Sequence, residues 1–433
     1  MVVVALGQRN FLGVPVAEIE KATSDHLNRW FPTVVDNDQG GYYTNFEYDW
    51  SRSPKQEKML VTQARDLWAS AKAAQLYPEN RIFREAADHG YRFLTGKMWN
   101  RKNGGFNLYA NETDPPYQLI YGNSFALFAL AEYAKINPSQ EVLAWVEESF
   151  DWIDSIAHDD DLLGYHTLIL SDALKVDTPK NREFISQQGW GKPEWKDQNT
   201  SIHLLEAFTS TYRVLPLPKV KTRLHEMLEL VSKTMTQPEG NLKLYFTNDW
   251  QPVDHSTRSR KYILDHQNED HTSFGHNIET AYLIIDASEA LYGKVDTESL
   301  VIAKKLTDHT LKFGFAPNYY GLYDRGYQFG GNEKIEIIMR SKAWWAQFEA
   351  WHTLALMSRY FPEEKQYEQA FRQMWSYIQR ELIDHEHGGC YSQGIDESSE
   401  SKKAMKAYQW KGPYHDGRAL MMVLEYANQE KEK

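Results

Sequence analysis

A chain of 433 residues with 42% hydrophobic and 14% aromatic content can bury a sizeable core, as one large domain or as two or three average ones. Its net charge of -12 excludes nucleic acid and anionic membranes as partners, because phosphate contacts need clustered Lys and Arg. A single cysteine, Cys390, excludes an intramolecular disulfide framework and suits a reducing cytoplasm.

The chain starts MVVVALGQRNFLGVP. Its apolar run is short, no basic region precedes it, and no small-residue cleavage pattern follows, so it does not read as a secretory leader. No apolar stretch approaches the roughly 18 residues that span a bilayer. The expectation is a soluble, cytoplasmic protein.

Beyond the start the sequence repeats. A glycine with an aromatic close behind recurs at Gly40, Gly104, Gly164, Gly240, Gly321 and Gly388, at intervals of 60 to 81 residues. Before each landmark lies a helix-like segment, charge-rich on one face, over 15–31, 81–98, 139–157, 217–237, 296–315 and 363–382. After each lies a second one, richer in Ala, Leu and aromatics, over 58–77, 118–135, 198–215, 275–293, 343–360 and 412–428. The first set suits an outer layer and the second suits burial on most sides. Pro78, Pro138, Pro216 and Pro362 fall at or just after the ends of inner segments, where proline stops a helix.

Twelve alternating helices predict an all-α fold, a single (α/α)6 barrel over residues 1–433, with short strand-like residues in the glycine turns at the active-site mouth. An open solenoid is the alternative, and the lack of polar capping repeats argues for closure. The loops 165–196, 246–273 and 323–342 are long, and each precedes an inner helix, so all three are expected at one mouth.

The first turns of the inner segments carry most of the chemistry. In chain order they supply Arg65 and Trp68; Tyr121 and Phe125; Asn199 and His203; His276 and Glu279; Trp345 and Glu349; and Trp410, His415 and Arg418. Singly, each of these histidines reads as a hydrogen-bonded structural residue and Trp345 as core. Their recurrence at equivalent places makes them converge on one cavity if the barrel closes. The 14 Trp and 26 Tyr fit a ring-binding site, although core filling is the commoner use of aromatics.

Several chemistries compete for this constellation. His276 and Glu279 have the i, i+3 spacing that can ligate a metal, and HEHGG at His385 adds His387, but no HExxH motif is present and the HEHGG pair lies in a predicted turn. There is no G-x-S-x-G elbow, and GLYDRGYQFGG lacks the strand and helix context of a phosphate loop. Inverting glycoside hydrolysis on such a barrel would draft two carboxylates from Glu279, Glu349 and Asp416. Histidines dominate instead, and their unperturbed pKa near 6.5 suits reversible proton transfer.

TQARDLWASA, NTSIHLLEAFTSTYR, SFGHNIETAYLI, AWWAQFEA and GPYHDGR together resemble the N-acylglucosamine 2-epimerase superfamily over about residues 40 to 425. That superfamily includes cellobiose 2-epimerases, mannose 2-epimerases and aldose-ketose isomerases. The resemblance implies the (α/α)6 barrel, a sugar substrate, and a metal-free, cofactor-free reaction through an enediolate. It implies His276 and His415 as the acid/base pair, Arg65 holding the enediolate oxygens, and Glu279 orienting His276. It further implies Tyr121, Phe125, Asn199 and His203 as pocket lining, with Trp345 and Trp410 stacking on the sugar. The long segment between Trp250 and His276 favours a narrow pocket and a monosaccharide, mannose or glucose, over a reducing-end disaccharide. Loop 396–409 reads as a lid or a mobile excursion. Monomer and homodimer are equally compatible with the sequence.

Overall fold

The computed structural model describes residues 9–113, 115–175, 178–317, 320–331 and 334–430. The first eight residues, read above as no leader, lie outside them. The helices are α1 (Val16–Trp30), α2 (Leu60–Leu76), α3 (Arg81–Phe93), α4 (Ile120–Ile136), α5 (Gln140–Ala157), α6 (Asp172–Lys175), α7 (Pro179–Gln187), α8 (Gln198–Val214), α9 (Pro218–Glu229), α10 (Arg260–Asp265), α11 (Phe274–Tyr292), α12 (Thr297–Phe313), α13 (Trp344–Tyr360), α14 (Lys365–Tyr377) and α15 (Tyr414–Gln429). No helix among the described residues is long and apolar enough to cross a membrane.

Hydrophobic pattern sorts these helices into two layers. In α4 every residue from Ile120 to Ala134 is buried, so the helix must lie inside another layer. In α3 burial falls on Phe83, Ala86, Ala87, Gly90, Tyr91 and Phe93, a stripe at helical spacing, and the other face meets water. Inner helices α2, α4, α8, α11, α13 and α15 each pack on the next, and α15 packs on α2, which closes the ring. The fold is the expected (α/α)6 barrel.

The hairpins differ from the simplest reading of the repeat. Each outer helix packs mainly on the inner helix that precedes it in the chain, α3 on α2, α5 on α4, α9 on α8, α12 on α11 and α14 on α13. Short links make this geometry, with Pro78, Pro138, Pro216 and Pro362 two residues beyond the ends of α2, α4, α8 and α13. The unpaired first outer helix, α1, packs on the last inner helix, α15, so the two ends of the chain share one seam. Trp351 on α13 is wholly buried and stacks on Phe371 and Trp375 of α14 at 5.4 and 4.5 Å. Truncating such a side chain typically costs about 3 to 5 kcal/mol.

All six landmark glycines have positive φ, from 71 to 92°, a region that favours glycine. Each turn is closed by one antiparallel bridge: Val35 with Tyr42, Trp99 with Phe106, His158 with Tyr165, Thr236 with Leu242, Phe315 with Leu322, and Ile383 with Cys390. The outer-to-inner connections all reach the N-terminal ends of the inner helices, so they gather at one mouth. Short antiparallel pairs tie them together: Tyr117–Leu119 with Leu168–Leu170, Lys196–Asp197 with Tyr245–Phe246, and Thr272–Ser273 with Arg325–Tyr327, which also pairs with Glu336–Met339. Loop 396–409 is anchored at both ends. Lys342 pairs with Asp396 at 2.5 Å, Ala407 bridges Phe46, and Lys406 pairs with Asp384.

Candidate active site

Inner helices α2, α4, α8, α11, α13 and α15 each deliver side chains from their first two turns, so Arg65 and His415, 350 positions apart in sequence, share one cavity end. Arg65, Tyr121, His203 and His415 are buried, and Asn199, His276, Trp345 and Trp410 are partly exposed there. The ring of Trp345 lies 4.8 Å from the imidazole of His276 and 5.7 Å from that of His415. The two predicted acid/base residues therefore meet on one indole. Gly275 makes this possible, because a Cβ there would sit 2.5 Å from the Trp345 ring.

Arg65 comes from the opposite wall. Its Nη2 donates to the Tyr121 hydroxyl at 3.0 Å, and its guanidinium lies over the Phe125 ring at 4.3 Å. Its Nε is buried without a hydrogen-bond partner among the described residues, as is Asn199 Oδ1. Buried polar atoms of this kind are what substrate hydroxyls and oxyanions can satisfy. Tyr121 packs on His203 at 5.4 Å and on Trp410 at 6.5 Å. Tyr121, Phe125, His203 and Trp410, with Arg65 over Phe125, thus form one contiguous group.

The expected pairing of Glu279 with His276 is not what the structure shows. His276 Nδ1 shares a hydrogen bond with the Ser273 hydroxyl at 2.8 Å, whereas Glu279 Oε1 accepts from Arg418 Nη2 at 2.7 Å. The reason is desolvation: a wholly buried carboxylate needs a cation more than a histidine ring does. Arg418 is that cation, fully buried, and it also reaches Glu349 Oε1 at 2.6 Å and Glu206. Burial works against the Arg418 charge, but Glu349, Tyr414, Glu206 and Glu279 more than reverse it, so Arg418 stays charged.

The carboxylate that orients a cavity histidine is Glu349. His415 Nδ1 donates to Glu349 Oε1 at 2.6 Å, which leaves Nε2 as the free lone pair. His352 donates to the other oxygen at 2.9 Å. Burial raises the Glu349 carboxyl, yet the Arg418 charge and the bonds from His352 and His415 outweigh it and hold it well below the carboxylate range. A second unit repeats the arrangement, with His203 Nδ1 donating to Glu206 Oε2 at 2.9 Å.

Burial lowers both cavity histidines. His276 falls to about 3, through desolvation first and then the electrostatic influence of His203 and Arg325. His415 is also lowered by burial, with its Glu349 bond pulling the other way. Both rings are neutral near pH 7, and the Glu349 carboxylate makes His415 the better proton acceptor. His385 and His387 take no part: His385 is bonded to the Gln379 carbonyl at 2.7 Å, and His387 lies 3.3 Å from Asp384.

Sequence reasoning passed over Ser273, Glu206, His352 and Trp190, considered Glu349 only as a hydrolytic carboxylate, and assigned no role to Arg418. A signal for four of these exists in the i, i+3 pairs His203 and Glu206, His276 and Glu279, Glu349 and His352, and His415 and Arg418, one pair on each of α8, α11, α13 and α15. Trp190 carries no such signal. It stands in the loop after α7 between Gly189 and Gly191, both at positive φ, and its ring meets Trp410 at 5.7 Å.

The fold is an (α/α)6 barrel that brings two histidines and a buried arginine together at the N-terminal ends of its inner helices. Sequence comparison resolves the family. Residues 41–417 match the profile of N-acylglucosamine 2-epimerase (GlcNAc 2-epimerase). The cellobiose 2-epimerase of Bacteroides fragilis is 25% identical over 409 residues, spanning 94% of this chain and 97% of its own. In solved structures, a D-mannose isomerase aligns with a TM-score of 0.80 at 21% identity, covering 95% of this chain and 98% of its own. The cellobiose 2-epimerase of Bacillus thermoamylovorans aligns with a TM-score of 0.78 at 22% identity, covering 95% of this chain and 99% of its own. The chain belongs to the N-acylglucosamine 2-epimerase family, and with it to the enzymes that epimerise or isomerise carbohydrates.

Proposed function

We propose that this enzyme interconverts D-mannose and D-glucose by moving the proton on carbon 2, with His276 and His415 as the two proton carriers. The observation that carries the proposal is the approach of both imidazoles to the single Trp345 ring, beside an arginine with an unpartnered Nε.

Ring opening exposes the aldehyde and makes the carbon 2 proton acidic. One neutral histidine takes that proton from one face and becomes imidazolium. Arg65, which can aim parallel N–H groups at adjacent oxygens, holds the enediolate. The other histidine, which takes up a proton from solvent as the enediolate charge develops, delivers it to the opposite face, and the first histidine releases its proton to solvent, so the carbon is inverted and both rings are reset. Burial favours the neutral form of both rings. The negative charge of the enediolate, formed in the same space, favours the imidazolium that proton return requires. Positioned proton transfer contributes about 10²- to 10⁴-fold.

The carboxylate geometry speaks against glycoside hydrolysis. Glu279 and Glu349 share one arginine, and Asp416 faces α1 rather than the cavity. For substrate size, Trp190 against Trp410 narrows the mouth and supports a monosaccharide. The cellobiose 2-epimerase relatives favour a second reading, a disaccharide with its reducing end at Trp345. Incubation with mannose in heavy water, followed by NMR, tests the proposal. Glucose carrying deuterium at carbon 2 is expected. Fructose as the first product reassigns the enzyme to aldose-ketose isomerisation, and turnover of cellobiose but not mannose refutes the monosaccharide reading.

A further inference from the structure

On the far side of α15 from the cavity lies a second cluster of chemistry-bearing groups. Asp416 follows His415 in sequence but turns toward α1, where its Oδ2 lies 3.8 Å from His26 Nδ1. Cys390, in the turn after α14, completes the group: one ligand atom from each of His26, Cys390 and Asp416 lies within 4.8 Å of the other two. All three side chains are buried, at 4%, 3% and 0% exposure. Neither ring nitrogen of His26 and neither carboxylate oxygen of Asp416 has a hydrogen-bond partner of ordinary geometry among the described residues. Buried polar groups left in that state call for a ligand. A cavity of about 570 Å³ opens beside them, lined by His26 and Cys390 together with Ala22, Arg29, Gly389 and Leu420.

We propose that His26, Cys390 and Asp416 form a binding site for a thiophilic divalent cation, zinc in the first instance, with water from the cavity as fourth ligand. Imidazole, thiolate and carboxylate are the donor types that zinc takes, and bonds of about 2.0 to 2.3 Å set tetrahedral ligands about 3.3 to 3.8 Å apart. Nitrogen and oxygen ligands stand about 3.3 to 3.4 Å apart in that geometry, so the His26 to Asp416 approach of 3.8 Å closes by about 0.4 Å, and the thiol, within 4.8 Å of both, by about 1 Å. On binding, Cys390 releases its proton to solvent, so thiolate and Asp416 together neutralise the ion. Lys411, whose charge also bears on this group, donates to the Cys390 and Lys406 carbonyls at 2.9 and 2.7 Å, so its ammonium is already engaged. The three ligands come from the first outer helix, the last glycine turn and the last inner helix. The ion therefore fastens the seam where the ring closes, apart from the sugar site.

Cobalt titration of the full chain, followed by absorption, tests the site. Cys390 is the only cysteine, so a thiolate-to-cobalt charge-transfer band in the near ultraviolet can arise nowhere else. Such a band is expected, saturating at one ion per chain, erased by zinc and lost in C390S; zinc should also raise the Tm of the wild type. Binding should weaken in H26Q and D416N, with circular dichroism establishing that the variants fold. Absence of the band in the wild type at saturating cobalt overturns the proposal. So does a band of unchanged affinity in both H26Q and D416N, which would mark an adventitious thiolate complex.

Discussion

Glu349→Gln isolates the group that makes His415 a base. The substitution keeps the side-chain shape and an oxygen acceptor for His415 Nδ1, but it removes the charge 2.6 Å away. At an effective dielectric near 20 a carboxylate at that distance stabilises an imidazolium by about 6 kcal/mol. Arg418 shares the same oxygen and offsets part of this, so we expect about 2 to 4 kcal/mol to be lost where His415 carries its proton. That converts to a fall in kcat of about 30- to 1,000-fold with KM little changed. Glu279→Gln is the matched control, because it also touches Arg418 but only approaches His415 at 4.0 Å. Each variant disturbs a buried ion cluster and should lower Tm, a partner loss of this kind costing about 3 to 5 kcal/mol. Only Glu349→Gln should lose most of kcat under conditions where both are folded. Steady-state kinetics on mannose with parallel calorimetry reads this directly. A kcat for Glu349→Gln within threefold of wild type, or an equal loss in Glu279→Gln, refutes the assignment of Glu349 as the His415 partner.

Three further predictions rest on other parts of the structure. Gly275→Ala should push the Trp345 ring off His276, at an overpacking cost of about 1 to 3 kcal/mol, and lower kcat/KM while the helix content by circular dichroism is kept. Trp190→Ala should open the mouth and raise the ratio of disaccharide to monosaccharide turnover, measured with cellobiose and mannose side by side; an unchanged ratio removes Trp190 from substrate selection. Acid should destabilise the fold earlier than carboxylate titration alone would. His271 and His276 are lowered to about 3 and His309 to about 4, in each case chiefly by burial. Their stability contribution is full above an unfolded value near 6.5, and it is lost as pH falls toward the folded values, because the unfolded chain then binds more protons. Denaturation at stepwise lower pH should show about 1 kcal/mol lost per pH unit per histidine in that window, and His309→Gln should remove one such share.

The helices were legible because burial leaves periodic traces. The unbroken apolar run of α4 and the stripe of α3 distinguish inner from outer layers without any contact being known. Positive φ at every landmark glycine explains why the repeat could be found at all. What the sequence hides is direction. His276 and Glu279 share a helix face, yet side-chain rotamers send Glu279 to an arginine 139 positions away, a partner that local spacing cannot reveal. The same limit hid Glu349, whose bond to His415 spans two helices, and Trp190, which is placed by two glycines in a loop without periodicity. Hairpin pairing was also undetermined, since packing on the preceding or following inner helix leaves the same hydrophobic pattern.

Isotope exchange in single-histidine variants tests the two-base reaction most directly. In heavy water, His276→Asn and His415→Asn should each fail to interconvert mannose and glucose. Each should still wash deuterium into carbon 2 of one epimer, and the epimer should differ between the two variants, because each retains the base for one face. Exchange of the same epimer in both variants, or net epimerisation persisting in either, would contradict proton transfer by His276 and His415 from opposite sides.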